Sequence, residues 1–382
     1  MNGKVFVQRA KPGKPEDAEQ AIYALFAGLP EKDLPNPKDR VLIKPNLLAR
    51  HTPDRAVTTH PDVLRAVILA LQQRGIFDIT VADSPGGPYT PMLMEGMYKT
   101  CGYLPVCEQT GAKLYTACES EGVDCPGRLV HHFELLKPVL EADYILNLPK
   151  FKTHVLTGMS GAVKNLLGCV PGLHKAEFHM RFPQKELFGQ MLVDLCEMVK
   201  PRLHIVDGII GMEGDGPAGG RSRAIGLLLA STDPYSLDLA ICRYMGLPPG
   251  RVPTLVAARE NGLCEESFDP ALLVGEEVAK RPIEAFLPPR SYEGRVDFSG
   301  NLPGFLQGFA PFVNRIIAPR PAVRKKDCVG CGKCAEICPQ KVIELTNAKA
   351  HMRQKECIRC FCCHEICPVK AIDVRTFPLF RI

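Results

Sequence analysis

Eight cysteines near the C-terminus carry the clearest chemistry in the chain. "CVGCGKCAEICP" separates Cys328, Cys331 and Cys334 by two residues each, then places Cys338 after three more, followed by Pro339. "CIRCFCCHEICP" repeats the pattern with Cys357, Cys360, Cys363, Cys367 and Pro368. Three cysteines at this spacing wrap one cubane, because the loop turns with each step, while the fourth swings away to a neighbouring cluster. The spacing therefore predicts two [4Fe–4S] clusters. Cys328, Cys331, Cys334 and Cys367 would hold one, and Cys357, Cys360, Cys363 and Cys338 the other. A pair of zinc knuckles is the competing reading, but two such runs, each closed by Cys-Pro, exceed what four-coordinate zinc needs. Cys362 falls outside the pattern, since only Cys363 has the correct gap to Cys367, and is read as a non-ligand packed beside a cluster.

A second group lies in "NLPKFKTHVLTGMSGAVKNLLG", where Lys150, Lys152, His154 and Lys164 surround small residues. A glycine-rich turn entering a helix, with Ser160 as N-cap, would leave backbone N–H groups free beside these cations, which makes an anion site. Lys44, Asn46, Lys150, Lys152, Ser160 and Lys164 are the candidate anion ligands. His154 is the candidate proton donor, since an unperturbed imidazole titrates near neutrality. The stretch is not a phosphate-binding loop of the Walker type: the gap is wrong and Asn165 follows the lysine. No G-x-G-x-x-G follows a strand. Asp207, Glu213 and Asp215 in "DGIIGMEGDGP" have the oxygens for a divalent cation, but the segment is read as a site loop without metal. Asp83 and Ser84 either cap a helix or act on substrate. His131, His132, His174 and His179 are read as surface or packing residues, and Cys169 as buried.

Short aliphatic runs must position these groups. "RVLIKPNLL" (40–48), "DITVADSPGG" (78–87), "ADYILNLPKFKTH" (142–154), "RLHIVDGIIGMEGDGP" (202–217) and "AIGLLLASTDP" (224–234) each read as a strand buried on both faces that ends in polar residues. Helical patterns lie between them, over 59–75, 186–201 and 233–246. Alternation of this kind predicts an α/β fold, a mostly parallel sheet with helices on both faces. Ligands of such sheets bind outside the carboxyl ends of the strands. The cysteine-rich end forms a separate small α+β domain.

The chain has 382 residues, 46% hydrophobic and 23% charged, as in ordinary globular proteins. Its net charge of +5 is uneven, with +6 in residues 322–382 and −1 before them. Cluster thiolates are negative, so the basic end is read as neutralising its own cofactor; without aromatic-interleaved basic stripes, no nucleic-acid partner is expected. Neither a signal peptide nor an apolar run long enough to span a membrane is read, and a cytoplasmic location is expected. Eight further cysteines are scattered singly and read as reduced thiols.

At "IKPNL", "ADSPGG", "LPKFKTHVLTGMSGAVKNLLG" and "DGIIGMEGDGP" the chain resembles a prokaryotic family catalogued as a domain of unknown function, number 362, over about residues 1–290. The last 55 or so residues resemble the two-cluster bacterial ferredoxin domain. The resemblance implies an iron–sulfur protein of anaerobic or low-potential electron transfer and supplies no substrate. The expected organisation is an α/β domain at 1–285 with an anion-binding crevice, a Pro/Gly/aromatic docking linker at 286–321, and the two-cluster domain at 322–382. The linker's Phe298, Leu302, Phe305, Leu306, Phe309 and Phe312 are expected to pack against the large domain. The expected function is a ferredoxin-type oxidoreductase. It would take electrons from a soluble redox partner protein and pass them singly to an anionic small molecule or cofactor. The alternatives are a non-enzymatic electron carrier or adaptor, and metal-dependent transferase or hydrolase chemistry at the acidic loop.

Overall fold

Successive residues of a strand point to opposite faces, so a strand covered on both sides must be apolar at every position. The computed structural model describes residues 3–277, 279–292 and 318–376. Its strands are β1 (Val5–Arg9), β2 (Val41–Pro45), β3 (Ile79–Val81), β4 (Lys113–Leu114), β5 (Ser120–Asp124), β6 (His132–Leu136), β7 (Tyr144–Leu148), β8 (Lys150–His154), β9 (Gly158–Met159), β10 (Leu203–Glu213), β11 (Arg221–Ser231) and β12 (Leu273–Gly275). The main sheet runs β12-β1-β11-β10-β7-β2-β3-β4, with β8 joined to β10 and β9, while β5 and β6 form a separate hairpin. Pairing is mostly parallel; β11 is antiparallel to both neighbours and β9 to β8.

The alternation is visible in the packing. Leu42, Ile145, Val206 and Leu229 pack with helices Lys185–Val199, Pro234–Met245 and Pro253–Glu260 on one face. Their neighbours Ile43, Leu146, Ile205 and Leu228 pack with helices Pro15–Gly28, Pro61–Gln73, Pro91–Thr100 and Tyr103–Thr110 on the other. Each such side chain contributes about 1.5–3 kcal/mol of burial. This is the α/β fold that the pattern predicts. No helix among the described residues is long and apolar enough to cross a membrane.

Two strand limits differ from expectation, and both move site residues. The run 142–154 is broken at Pro149, which has no N–H to donate. β7 pairs with Leu203 and His204 of β10, whereas β8 pairs further along with Asp207 and Met212. Lys150, Lys152 and His154 therefore lie within a strand rather than after one. β10 itself continues through Asp207 to Glu213, with an irregularity between Gly208 and Ile210, so Asp207 sits in mid-strand. The helix Pro61–Gln73 is capped by His60, which accepts the Asp62 N–H; Thr59 instead accepts from Asn46 N and donates to Leu148 O.

The C-terminal module pairs β13 (Arg320–Val323) with β16 (Ile372–Arg375), and β14 (Ile343–Thr346) with β15 (Lys349–Met352). Its two cysteine runs enter the short helices Lys333–Ile337 and Cys362–Ile366 with the same backbone twist. Gly330 and Gly332 in the first run, and Arg359 and Phe361 in the second, all have φ between 60° and 79°. Glycine takes this conformation freely; Arg359 and Phe361 take it at a steric cost that the rest of the loop must offset. The linker side chains Phe298, Leu302, Phe305, Leu306, Phe309 and Phe312 lie outside the described residues.

Candidate functional site

Burial decides what the strand-end cations can do. Lys150 is 0% exposed, and its Nζ donates to Asp207 Oδ2 at 2.6 Å. Lys44 lies 3.0 Å from Asp83 Oδ1 and donates to Pro45 O. Lys152 donates to Asn46 Oδ1 at 2.7 Å and Val57 O at 2.6 Å. These acceptors are neutral, so burial holds the Lys152 ammonium well below its usual range, with Lys164 and Lys150 adding repulsion. Three of the four lysines expected to grip an anion are thus used by the fold itself: two face carboxylates, Asp207 in β10 and Asp83 just after β3, and the third faces amide oxygens.

His154 is also reassigned. Its Nδ1 accepts the Leu156 N–H at 3.1 Å, so the neutral ring carries its proton on Nε2, which stands 3.2 Å from Glu365 Oε1. Burial, reinforced by Lys164, lowers its pKa to about 3. Burial that keeps the ring neutral at ordinary pH works against the proton-donor role expected of His154. Ser160 makes no side-chain cap. Asp238 takes the position instead, accepting the N–H groups of Ala162 at 2.5 Å and Val163 at 3.2 Å. The anion expected at this turn is a carboxylate of the protein.

What remains is a cavity of about 80 Å³ where the carboxyl ends of the strands meet the cysteine-rich module. Asn46, Asp83, Ser84, Lys164 and Lys175 line it from the large domain, and Cys362, Glu365 and Ile366 from the module. Lys164, at the end of the helix Gly161–Asn165, is the predicted anion ligand that keeps its ammonium for this space. Burial lowers its pKa, and Glu365 partly restores it. Lys175 donates to Ser84 O and Pro85 O at 2.7 and 2.9 Å and is pushed down to about 7 by burial. Beneath the cavity a chain of amides runs inward, from Asn46 to Asn165 at 2.8 Å, Asn165 to Asn147 at 2.7 Å, and Asn147 to His204 Nδ1 at 3.0 Å.

The acidic glycine loop has a different task. Glu213 pairs with Arg221 and Arg223, and Asp215 with Arg290 at 2.5 Å, so these carboxylates are already neutralised. The loop meets the module. A side-chain carbon on Gly219 would lie 2.6 Å from the His364 ring, and Lys370 Nζ donates to Gly220 O at 2.8 Å. Val155 packs with Phe361 and Val374 beside it. Glycine is needed at 219 because the neighbouring ring leaves no room for a Cβ.

Within the module, Cys328, Cys331, Cys334 and Cys367 line one space, and Cys338, Cys357, Cys360 and Cys363 another. Backbone N–H groups of Ala350, Arg359 and Ala371 donate to Cys328, Cys357 and Cys367 sulfurs at 3.5, 3.4 and 3.2 Å. Among the described residues no three His, Cys, Asp or Glu side chains close on a single point suited to one metal ion. Cys362 is buried and borders both the second quartet's space and the 80 Å³ cavity.

Sequence reasoning missed Lys175, Asn165, Asp238 and Glu365. Glu365 could not be singled out, because Glu336 occupies the same place in the first run and is exposed.

The buried histidines carry a pH consequence. Burial depresses His154 and His204 to about 3 and His179, stacked on Phe188, to about 4. Each stays neutral when folded but takes a proton when unfolded below pH 6.5. Their contribution is therefore complete above that pH and is lost as pH falls toward 3–4. Denaturation midpoints are expected to drop from pH 7 to pH 5, by up to about 1.4 kcal/mol per pH unit for each histidine. His204→Gln should lessen the slope by about one proton; equal midpoints at both pH values would refute the assignment.

Comparison with known proteins gives four matches. A family model described as "Domain of unknown function (DUF362)" matches residues 41–243, and one described as "4Fe-4S dicluster domain" matches 320–368. A thylakoid-associated protein of Synechocystis sp. is 38% identical over 236 residues, covering 59% of this chain and 69% of that protein. The lactate racemase apoprotein structure from Thermoanaerobacterium thermosaccharolyticum aligns at a TM-score of 0.39 and 13% identity, over 64% of this chain and 57% of that one.

Proposed function

We propose an electron-transfer function from the premise that this chain belongs to the family described as a domain of unknown function (DUF362) and carries a 4Fe-4S dicluster domain after it. Cys328, Cys331, Cys334 and Cys367 hold one [4Fe–4S] cluster, and Cys357, Cys360, Cys363 and Cys338 a second. Quartets that surround a space without closing on one point, with backbone N–H groups aimed at their sulfurs, suit a multi-atom cluster better than a single ion. When bound, the clusters supply one-electron redox chemistry; the protein supplies position and field.

The observation that carries an oxidoreductase reading is the position of Cys362, shared between the second quartet's space and the cavity holding Lys164 and Lys175. In this reading Lys164 and Lys175 hold a small anionic substrate beside the second cluster. Lys175, with its lowered pKa, is the group able to give or take a proton near neutrality. Glu365, reaching in from the module, offsets the Lys164 charge when the site is free. A carrier without a substrate is the second reading, favoured by the internal pairing of Lys44 and Lys150.

Anaerobically purified protein decides between them. Iron and sulfide content should come to about eight atoms each, as two cubanes require. An EPR-monitored redox titration should shift on adding phosphate or a small carboxylate, and the shift should vanish in Lys164→Gln. Eight irons without any shift would leave the carrier reading; zinc in place of iron would overturn both.

A further inference from the structure

We infer that the exposed rim of the first cysteine quartet is the docking face for an acidic one-electron carrier protein; this rests on the reading that the quartets hold clusters. Val329, Leu345 and Val369 are 61%, 45% and 41% exposed, and all three border the space ringed by Cys328, Cys331, Cys334 and Cys367. Leu345 lies over Gly332, where a side-chain carbon would be 3.6 Å from its Cδ1, so the apolar rim continues to Cys331. Cys331 is itself exposed, whereas Cys338 and Cys363 of the second quartet are buried. Among the described residues, the second quartet's space is bordered by none of the exposed large apolar side chains, and on its far side Cys362 leads to the interior cavity. The two quartets thus differ in direction: one faces solvent through an apolar rim and the other faces inward. Apolar side chains left uncovered around a reactive centre mark an interaction surface, and a patch this small suits a transient redox encounter.

Charge selects the partner. Lys325 and Lys326 are exposed just before Cys328, and Lys333 is exposed between Cys331 and Cys334. Asp327 beside them is held by Arg324 at 2.5 Å, and Glu336 lies exposed three residues after Lys333, which leaves the three lysines in excess on this rim. A carrier with carboxylates around its redox centre would be steered to this rim. An anionic membrane surface would also draw the lysines. The apolar side chains, however, ring the cysteines instead of lying along an amphipathic helix, which favours a redox protein. One electron leaves the carrier, which is oxidised, for the group held by the first quartet, which is reduced; no bond forms and no proton moves.

The test uses iron-loaded full-length chain under anaerobic conditions, with a small acidic ferredoxin as probe and basic cytochrome c as control. Wild type should bind the ferredoxin saturably, with affinity falling steeply as salt rises. The triple variant K325E/K326E/K333E should bind at least about tenfold more weakly and with little salt dependence. Leu345→Ser should weaken binding at any salt. Iron content and reduction by dithionite should match wild type in both variants. Equal binding by wild type and triple variant, or a preference for cytochrome c, would overturn the docking face while leaving the clusters intact. Preference for phosphatidylglycerol vesicles over ferredoxin would overturn it in favour of a membrane surface. Absence of iron in wild type would instead remove the reading beneath it.

Discussion

Lys150→Met is expected to cost the folded chain about 3–5 kcal/mol, a large part of a typical domain's stability. Methionine nearly matches lysine in length, so the packing loss is small and the effect isolates charge. Asp207 would keep its hydrogen bonds from the N–H groups of His60 at 2.7 Å and Ile209 at 3.3 Å, but would lose the ammonium 2.6 Å away. With both side chains 0% exposed, water cannot replace it. The double variant Lys150→Met/Asp207→Asn should recover most of the loss, because the remaining amide needs hydrogen bonds and no counter-charge. Urea denaturation of the three proteins checks this. A loss under about 1 kcal/mol in the single variant would show that Asp207 is protonated or hydrated when its partner is gone. If the single variant does not fold, the double variant still answers the question: its recovery is predicted, and its failure would sink the account.

The second large effect separates two adjacent cysteines. Cys363→Ala should remove about half of the iron, whereas Cys362→Ala should leave iron content unchanged. Both thiols are buried in the second run and both border the second quartet's space, so burial does not distinguish them. Spacing does, since three residues separate Cys363 from Cys367, as three separate Cys334 from Cys338. Iron and sulfide analysis of the two variants checks the assignment. Loss of iron on removing Cys362 would mean that the loop uses the competing Cys360-x-Cys362 register. The Cys362 variant should further change how the EPR signal responds to anions, since its side chain is the wall between quartet and cavity.

Much of this molecule is legible in the sequence, and the limits have a physical cause. The cysteine quartets can be read because cluster geometry acts over a few residues. The strands can be read because burial on both faces demands unbroken aliphatic runs. Partners of the buried cations could not be read the same way. Asp207 lies 57 residues from Lys150, and Glu365 lies in another domain from His154. Two signals were nonetheless present. "PKFK" (149–152) alternates apolar and polar residues with a period of two, which is the pattern of a strand rather than a loop. An aspartate inside the aliphatic run "HIVDGII" asks for a buried cation nearby. The cap from Asp238 left no local trace, because it comes from a helix 76 residues away.

The contact between the glycine loop and the module bears on how such a chain can change over time. The module's grip on the large domain comes from Phe361, His364, Glu365 and Lys370, none of them among the eight spaced cysteines. An unrelated ferredoxin with the same eight cysteines would carry electrons equally well yet present the wrong surface to Gly219, Gly220 and His154. The two halves are therefore not interchangeable parts. Their substitutions should be correlated across relatives, with larger side chains at 219 tolerated only where position 364 has become small.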